Sequence, residues 1–232
     1  MLRHATPPLQ VVYEDGALLA LEKPAGLLSV PGKGADKQDS LSARAQIHYP
    51  DALIVHRLDM ATSGLLLMAR GIDCQRRLSH AFASREVSKQ YVAVVDGALA
   101  PPAGAWGVID LPIALDWAHR PLRHIDQVQG KPSVTRWQLA PRADEAVADV
   151  VASSSFSPNL QSTRLLLEPV TGRSHQLRVH LAALGHAILG DALYATPAVQ
   201  ARSERLLLHA SRLALAHPFT GVTMVFESAP QF

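Results

Sequence analysis

The stretch that decides the fold of this chain is residues 56–70, His56-Arg57-Leu58-Asp59-Met60-Ala61-Thr62-Ser63-Gly64-Leu65-Leu66-Leu67-Met68-Ala69-Arg70. Its second half, from Leu65 to Ala69, is a continuous apolar run, which is typical of a buried strand. The polar segment that contains Asp59 must therefore lie at one end of that strand, where a core element fixes its position. Because this carboxylate is held rigidly and Arg57 lies two residues before it, the segment is a candidate reaction centre.

Length and composition describe an ordinary globular protein. The chain has 232 residues, of which 48% are hydrophobic and 18% charged, so disorder is not expected. No apolar run approaches the length of a membrane span, and residues 1–8 lack the apolar segment of a signal peptide. Cys74 is the single cysteine, which excludes an internal disulfide and fits a reducing compartment. We therefore expect a cytoplasmic protein with no membrane association.

Basic residues are concentrated in two stretches of the chain. The formal net charge is only +2, so total charge alone is weak support for a nucleic-acid partner. The first cluster comprises Arg70, Arg76, Arg77, Arg85 and Lys89, and the second comprises Arg120, Arg123, Lys131, Arg136 and Arg142. Solvated surface positions would explain either cluster alone, but the two together favour contacts with phosphate groups.

The turn residues and apolar patterns indicate an α+β fold. Residues 1–10 are expected to form a flexible N-terminal arm, and residues 11–232 a single domain. Its sheet is expected to be mixed and mostly antiparallel, flanked by helices and loops. Asp15-Gly16 predicts the turn of a first hairpin. Further strands are expected at 53–56, 65–69, 90–95, 133–139, 164–168, 206–216 and 222–226, with helices from the caps Ser40 and Asp73 to about Tyr49 and Ser84.

A second informative stretch, residues 171–185, predicts a helix. Ser174 is expected to cap its N-terminus, and Gly185 to adopt the left-handed conformation after its C-terminus. Leu177, Leu181 and Leu184 recur at helical spacing and are expected to face the core. Arg178 would then lie at the margin of the core, where a partly desolvated carboxylate could pair with it.

Histidines in and around this helix are not expected to bind a metal ion. His175 and His180 are five residues apart, so their imidazoles do not share one helix face, and no acid of the His-Glu-x-x-His type lies between them. His186 and His209 would be the additional ligands. Hydrogen-bonded histidines that close loops are the better explanation of all four.

Three separated motifs resemble the RluA-type pseudouridine synthases, a family that isomerises uridine in RNA. They are His56-Arg57-Leu58-Asp59 with Thr62-Ser63-Gly64, then Lys89-Gln90-Tyr91-Val92-Ala93, and then Gly172-Arg173-Ser174-His175-Gln176-Leu177-Arg178. Weaker matches are Lys23-Pro24-Ala25-Gly26-Leu27, Gly190-Asp191-Ala192-Leu193-Tyr194 and Leu207-Leu208-His209-Ala210. The matches occur in the family's order and span nearly the whole chain after the first ten residues.

The resemblance implies a role for each matched residue. Asp59 would be the catalytic aspartate, Tyr91 the active-site tyrosine that contacts the base and helps transfer a proton, and Arg178 the basic partner in an ion pair with Asp59. Isomerisation adds and removes nothing, so no cofactor or metal is expected. Residues expected to contact the RNA substrate are Arg57, His56, Thr62, Arg70, Arg173 and His175.

The role of Arg57 has two explanations at this stage. Reaching the sugar requires a nucleotide to leave its stack, and a guanidinium could fill or hold the vacated space. Alternatively, Arg57 could form an ion pair that positions its own loop.

The resemblance also implies a substrate class. We expect no separate N-terminal S4 domain of the kind that many family members carry, because only about fifty residues precede the Asp59 loop. The chain resembles the compact dual-specificity type. Structured RNA is therefore the expected partner, namely a 23S rRNA hairpin, the tRNA anticodon stem-loop, or both. No obligate protein partner is expected. The chain departs from the family's pattern at two places. The loop at 152–162 is longer than expected, and Arg70 stands where the family commonly has lysine.

Two other functions remain open from the residues alone. A nucleic-acid N-glycosidic hydrolase could use Asp59, but such enzymes usually need a second carboxylate. Glu168 and Asp191 are not expected to lie in a comparable polar loop with a basic partner. A non-catalytic RNA-binding module would need the basic clusters but not Asp59.

Overall fold

A computed structural model describes residues 8–140 and 161–232. Predictions for Arg142, for most of the N-terminal arm and for most of the 152–162 loop lie outside these residues. Within them the chain forms two compact units. Unit 1 ends at Lys89 and resumes over residues 209–231, and unit 2 consists of residues 90–208 together with Phe232. The boundaries of a single domain over residues 11–232 stay a prediction.

The described residues form a mixture of strands and short helices. The strands are β1 (Gln10–Glu14), β2 (Leu18–Lys23), β3 (Ala52–Ile54), β4 (Ser63–Arg70), β5 (Ser88–Asp96), β6 (Gly107–Asp110), β7 (Ile113–Leu115), β8 (Arg123–Ile125), β9 (Val134–Leu139), β10 (Ser162–Pro169), β11 (Leu208–Ala216) and β12 (Thr223–Glu227). The helices are α1 (Leu41–His48), α2 (Ile72–Ala83), α3 (Gln176–Ala183) and α4 (Pro197–Gln200). All helices in the described ranges are too short to traverse a lipid bilayer.

Unit 1 is built around β4. Strand β4 pairs antiparallel with β2 and β3 and parallel with β11, and the edge pairs β1–β2 and β11–β12 are antiparallel. All five residues of the apolar run Leu65–Ala69 are fully buried, which confirms the predicted core strand. One face of the strand packs with Cys74 and Leu78 of α2. Each buried leucine contributes on the order of 2 kcal/mol to this core.

Unit 2 contains an antiparallel sheet and a separate hairpin. Strands β5, β10, β9 and β6 are neighbours in that order, and β7 pairs with β8. Helix α3 packs against β8, β9 and β10. Strands β6, β7 and β8 were not predicted, because each has only three or four residues and little alternation. The mostly antiparallel sheet is confirmed within each unit.

Helix starts were predicted correctly only where a side chain caps them. Ser40 caps α1 as predicted, with the Ala43 amide donating to its Oγ at 3.2 Å. The prediction that Asp73 caps α2 is wrong, because the helix already begins at Ile72 after Gly71. Gly71 has φ +77°, a conformation that a capping aspartate could not adopt without strain.

The predicted cap and apolar stripe of α3 need correction. The N-cap position is His175, which has a left-handed backbone with φ 58°, and Ser174 does not cap the helix. The buried Gln176 joins the neighbouring loops instead, because its Oε1 accepts from the Arg173 amide at 3.0 Å. Leu184 is 40% exposed and does not belong to the core, whereas Gly185 has the predicted left-handed conformation with φ +82°.

Candidate active site

The loop that carries Asp59 lies in unit 1, directly before β4. Its backbone is fastened to the segment that follows β2. Ser29 Oγ donates to the Leu58 carbonyl at 2.7 Å and accepts from the Leu58 amide at 3.1 Å. The Gly26 amide donates to the Met60 carbonyl at 2.9 Å. The positions on both sides of Asp59 are therefore fixed by hydrogen bonds to one neighbouring segment.

Lys23 is the centre of this attachment. Its side chain is fully buried, and its Nζ donates to three backbone carbonyls, those of Pro24 and Leu27 at 2.8 Å and that of Met60 at 3.0 Å. Burial lowers the pKa of the ammonium to about 8, while the negative charges of Asp59 and Glu22 oppose that shift. A buried cation thus holds the loop and supplies a positive charge beside Asp59.

Lys23 and Ser29 were not among the predicted site residues. The available signal was Lys23-Pro24-Ala25-Gly26, which interrupts the chain at the end of an apolar strand. A lysine at the end of a buried strand needs several acceptors, and a Pro-Gly turn exposes carbonyls that can provide them.

Replacing Lys23 with methionine is expected to destabilise unit 1 and to lower activity. Three carbonyls would lose their donor, at about 1–3 kcal/mol each, partly offset because no ammonium is desolvated. We expect the free energy of unfolding to fall by about 2–4 kcal/mol in urea titrations. Lys37→Met, at an exposed position, serves as the control. Equal stability of the two variants would contradict this role of Lys23.

His56 is held inside unit 1 as a neutral hydrogen-bond acceptor. Its Nε2 accepts from the Leu67 amide at 2.9 Å, and its ring stacks on Phe82 with centroids 4.4 Å apart. Burial lowers the pKa of His56 to about 3, and the charge of Lys89 acts in the same direction. These contacts anchor the start of the Asp59 loop to β4, and an RNA contact by His56 stays a prediction.

Because the pKa of His56 is lowered in the folded state, the free energy of unfolding is expected to decrease as the pH is lowered. The unfolded state takes up the His56 proton near pH 6.5 and the folded state only near pH 3, so the unfolded state binds more protons between these values. Stability should therefore decrease as pH falls through this window. His56→Gln should reduce the change in the free energy of unfolding with pH in this window, as measured by denaturant titrations. Above pH 7 the free energy of unfolding of the variant should depend on pH as that of wild type does. An unchanged slope would contradict the assignment.

The other unit 1 residues predicted to bind RNA differ in their contacts. Arg57 is exposed, and its side chain makes no hydrogen bond or ion pair with the described residues, so both explanations of its role stay predictions. Thr62 is buried, and its amide donates to the Asp59 carbonyl at 3.1 Å. Arg70 is paired with Asp51 at 3.1 Å, which reduces the charge it offers to a phosphate.

Unit 2 holds Tyr91 and Arg178. Tyr91 lies on β5 opposite Leu167 of β10. Arg178 on α3 is 4% exposed and forms a bidentate pair with Asp191, with Nε to Oδ2 at 2.8 Å and Nη2 to Oδ1 at 2.6 Å. Asp191 is fully buried, and its Oδ1 also accepts from the amides of Leu193 and Tyr194. The guanidinium therefore has a fixed orientation.

The expectation that Asp191 does not lie in a polar loop with a basic partner is wrong, whereas Glu168 lies on β10 and not in a loop. Asp191 pairs with Arg178, and Glu168 pairs with Arg136 at 3.1 Å. The buried carboxylate predicted beside Arg178 does exist, and the structure identifies Asp191 as one such partner. The ion pair between Arg178 and Asp59 stays a prediction.

Tyr194 connects the remaining predicted residues of unit 2. Its hydroxyl lies 2.6 Å from His175 Nδ1 and accepts from the Arg123 amide at 3.0 Å, while its ring lies 5.1 Å from Arg178 Cζ. Arg173 is exposed, and its Nε donates to the Pro132 carbonyl at 3.4 Å. His180 bridges Thr135 and the Leu111 carbonyl, each at 2.9 Å, which confirms its role in closing loops. Within the described residues no group of three His, Cys, Asp or Glu side chains could hold a metal ion.

Comparison with known proteins assigns the family. The RNA pseudouridylate synthase family matches residues 17–183, a range that includes Asp59, Tyr91 and Arg178. The chain belongs to this family. The synthase is 44% identical over 226 residues to the dual-specificity RNA pseudouridine synthase RluA of Escherichia coli K12, covering 97% of this chain and 95% of that protein. It is 42% identical over 222 residues to RluA of Yersinia pestis, covering 96% and 99% of the two chains.

Solved structures agree with this assignment. Human RNA pseudouridylate synthase domain containing 1 matches with a TM-score of 0.73 and 26% identity, covering 97% of this chain and 84% of that chain. Human RNA pseudouridylate synthase domain containing 4 matches with a TM-score of 0.67 and 25% identity, covering 95% and 88%. The predicted fold class is confirmed, and the synthase is an isomerase that converts uridine to pseudouridine in RNA.

Proposed function

We propose that the synthase modifies specific uridines in two kinds of structured RNA, 23S rRNA and the tRNA anticodon stem-loop, in the cytoplasm. Support comes from its 44% identity, over nearly its full length, to enzymes named for dual specificity towards RNA. The rigid attachment of the Asp59 loop supports a reaction centre at that position.

Asp59 is proposed as the catalytic carboxylate. The reaction breaks the N1–C1′ glycosidic bond, turns the uracil, joins C5 to C1′ and releases the C5 proton, while N1 regains a proton. Asp59 must be ionised to act on the sugar, either by attack at C1′ or by proton abstraction at C2′. The Lys23 ammonium interacts electrostatically with Asp59 and supplies a positive charge beside it.

Tyr91 and Arg178 are proposed as the other catalytic groups. The Tyr91 ring offers a flat surface for uracil, and its hydroxyl can take part in removing the C5 proton. Arg178 is proposed to pair with Asp59, and its bidentate contact with Asp191 supplies the fixed orientation that such a role needs.

Arg57 is proposed to occupy the space that the extruded nucleotide leaves. The exposed side chain has no partner within the described residues, which leaves the guanidinium available to RNA. Arg173 and His175 are proposed to contact the RNA backbone, whereas Arg70 and His56 act mainly through the protein contacts described above.

Primer extension after carbodiimide treatment tests the proposed substrates. Transfer RNA and 23S rRNA are incubated with the synthase, and new stops mark the pseudouridines. Stops in both RNAs are expected, at uridines in hairpin loops. Stops in one RNA only would contradict dual specificity, and release of free uracil would support the hydrolase instead.

A further inference from the structure

The tip of the β7–β8 hairpin, residues 116–122, presents an exposed aromatic side chain that the proposed reaction does not use. Trp117 is 72% exposed. The Arg120 guanidinium lies over its indole ring, with Cζ 3.9 Å from the centroid, and makes no hydrogen bond or ion pair with the described residues. An apolar ring at this exposure has no stabilising role in a core.

The tip is a closed turn with a fixed shape. The Asp116 amide donates to the Leu122 carbonyl at 3.1 Å, and the Leu122 amide donates to the His119 carbonyl at 2.9 Å. Asp116 Oδ1 accepts from the amides of Ala118 and His119 at 3.1 and 3.0 Å. The backbone that carries Trp117 is therefore fixed before any ligand arrives, which lowers the entropic cost of binding.

The acidic side chains in and next to the hairpin already have hydrogen-bond partners. Asp116 at the tip also bonds His119, and Asp126, directly after β8, accepts from the amides of Val128 and Gln129. Arg120 remains as an exposed cation beside the exposed ring. An aromatic face next to an available guanidinium fits an unpaired nucleotide, which offers a base to stack and a phosphate to pair.

The base of the same hairpin is tied to the proposed catalytic arginine. The Arg123 amide, at the start of β8, donates to the Tyr194 hydroxyl, and the Tyr194 ring contacts the Arg178 guanidinium. A nucleotide bound at the tip would thus be positioned relative to Arg178 by protein contacts within unit 2.

We propose that Trp117 is a stacking platform for an unpaired base of the RNA substrate, with Arg120 pairing to an adjacent phosphate. This inference rests on the proposed function, because it concerns how the same RNA is held. It adds a specificity element that favours hairpin loops over paired stems.

Binding measurements with matched variants test the platform. We expect Trp117→Ala to weaken binding of a fluorescein-labelled anticodon stem-loop about tenfold and Trp117→Phe by less than about threefold. Binding of a fully paired RNA duplex should not change. Phe219→Ala is the control, because Phe219 is also exposed and has Arg77 Cζ 5.1 Å from its ring but lies in unit 1.

Salt dependence separates the two side chains. Trp117→Ala should leave the slope of log Kd against log salt unchanged, whereas Arg120→Gln should reduce it by about one. Saturating RNA should quench the tryptophan emission of wild type more than that of Trp117→Phe. This measurement does not depend on the stability of Trp117→Ala.

The outcomes distinguish this inference from the proposed function. Wild-type stem-loop affinity in folded Trp117→Ala, with equal quenching in Trp117→Phe, would overturn the platform even if wild type makes pseudouridine. A tip that contacts protein instead of RNA would give that same result. Absence of pseudouridine with wild type would overturn the proposed function, whatever Trp117→Ala binds.

Discussion

Asp59→Asn is expected to lower pseudouridine formation by at least about a thousandfold and to leave RNA affinity within about threefold of wild type. Asparagine has the shape of aspartate but cannot attack the sugar or act as its base. The loop should persist, because the contacts that hold it use the backbones of Leu58 and Met60. Single-turnover product formation and anisotropy titrations measure the two quantities separately.

Asp73→Asn is the matched control for this substitution. Asp73 is exposed on α2 in the same unit and pairs only loosely with Arg76 at 3.5 Å. The Asp73→Asn variant should form pseudouridine at the wild-type rate. Turnover by Asp59→Asn close to that of the Asp73 variant would remove Asp59 from the chemistry and would favour a non-catalytic RNA-binding module.

Gly64→Ala is expected to have the largest effect on stability, about 4 kcal/mol or more, or to prevent soluble expression. Gly64 has φ +110°, and a Cβ there would lie 2.3 Å from the Ala210 carbonyl oxygen and 2.6 Å from its nitrogen. Both atoms belong to backbone that pairs β11 with β4, so neither can move aside without breaking the pairing. Thermal and urea unfolding measure the loss.

Alanine substitutions at two other glycines distinguish the cost of backbone strain from the cost of a steric clash of the new Cβ. Gly71 has φ +77° but open space around its Cβ position, so Gly71→Ala should cost only about 1–3 kcal/mol. Gly16 has open space and no left-handed backbone, so Gly16→Ala should be nearly neutral. If Gly64→Ala is no less stable than Gly71→Ala, the close approach of β11 to β4 is not the reason that position 64 requires glycine.

The strands and loop that position Asp59 could be predicted because their signals are local. The run Leu65–Ala69 is apolar at every position, and Ser40 caps α1 with its own side chain. Three of the strands in unit 2 escaped prediction because short strands carry too few residues to show a period. The cap of α3 was misplaced because the long-range contacts of Gln176 replace a local serine cap.

The partners of buried charges could not be predicted from the sequence. Lys23 contacts Met60 across 37 positions, and Arg178 contacts Asp191 across 13. Such pairings depend on which strand ends meet, and no local pattern encodes that. Residue types alone therefore identified Arg178 as a residue that needs a carboxylate, but they did not identify Asp191.

Release of tritium from RNA labelled at C5 of uridine tests most directly whether this chain is a uridine isomerase acting through Asp59. Joining C5 to C1′ expels the C5 hydrogen, so wild type should release tritium to water without free uracil, and Asp59→Asn should release almost none. Free uracil from wild type, or equal tritium release by both proteins, would contradict the account.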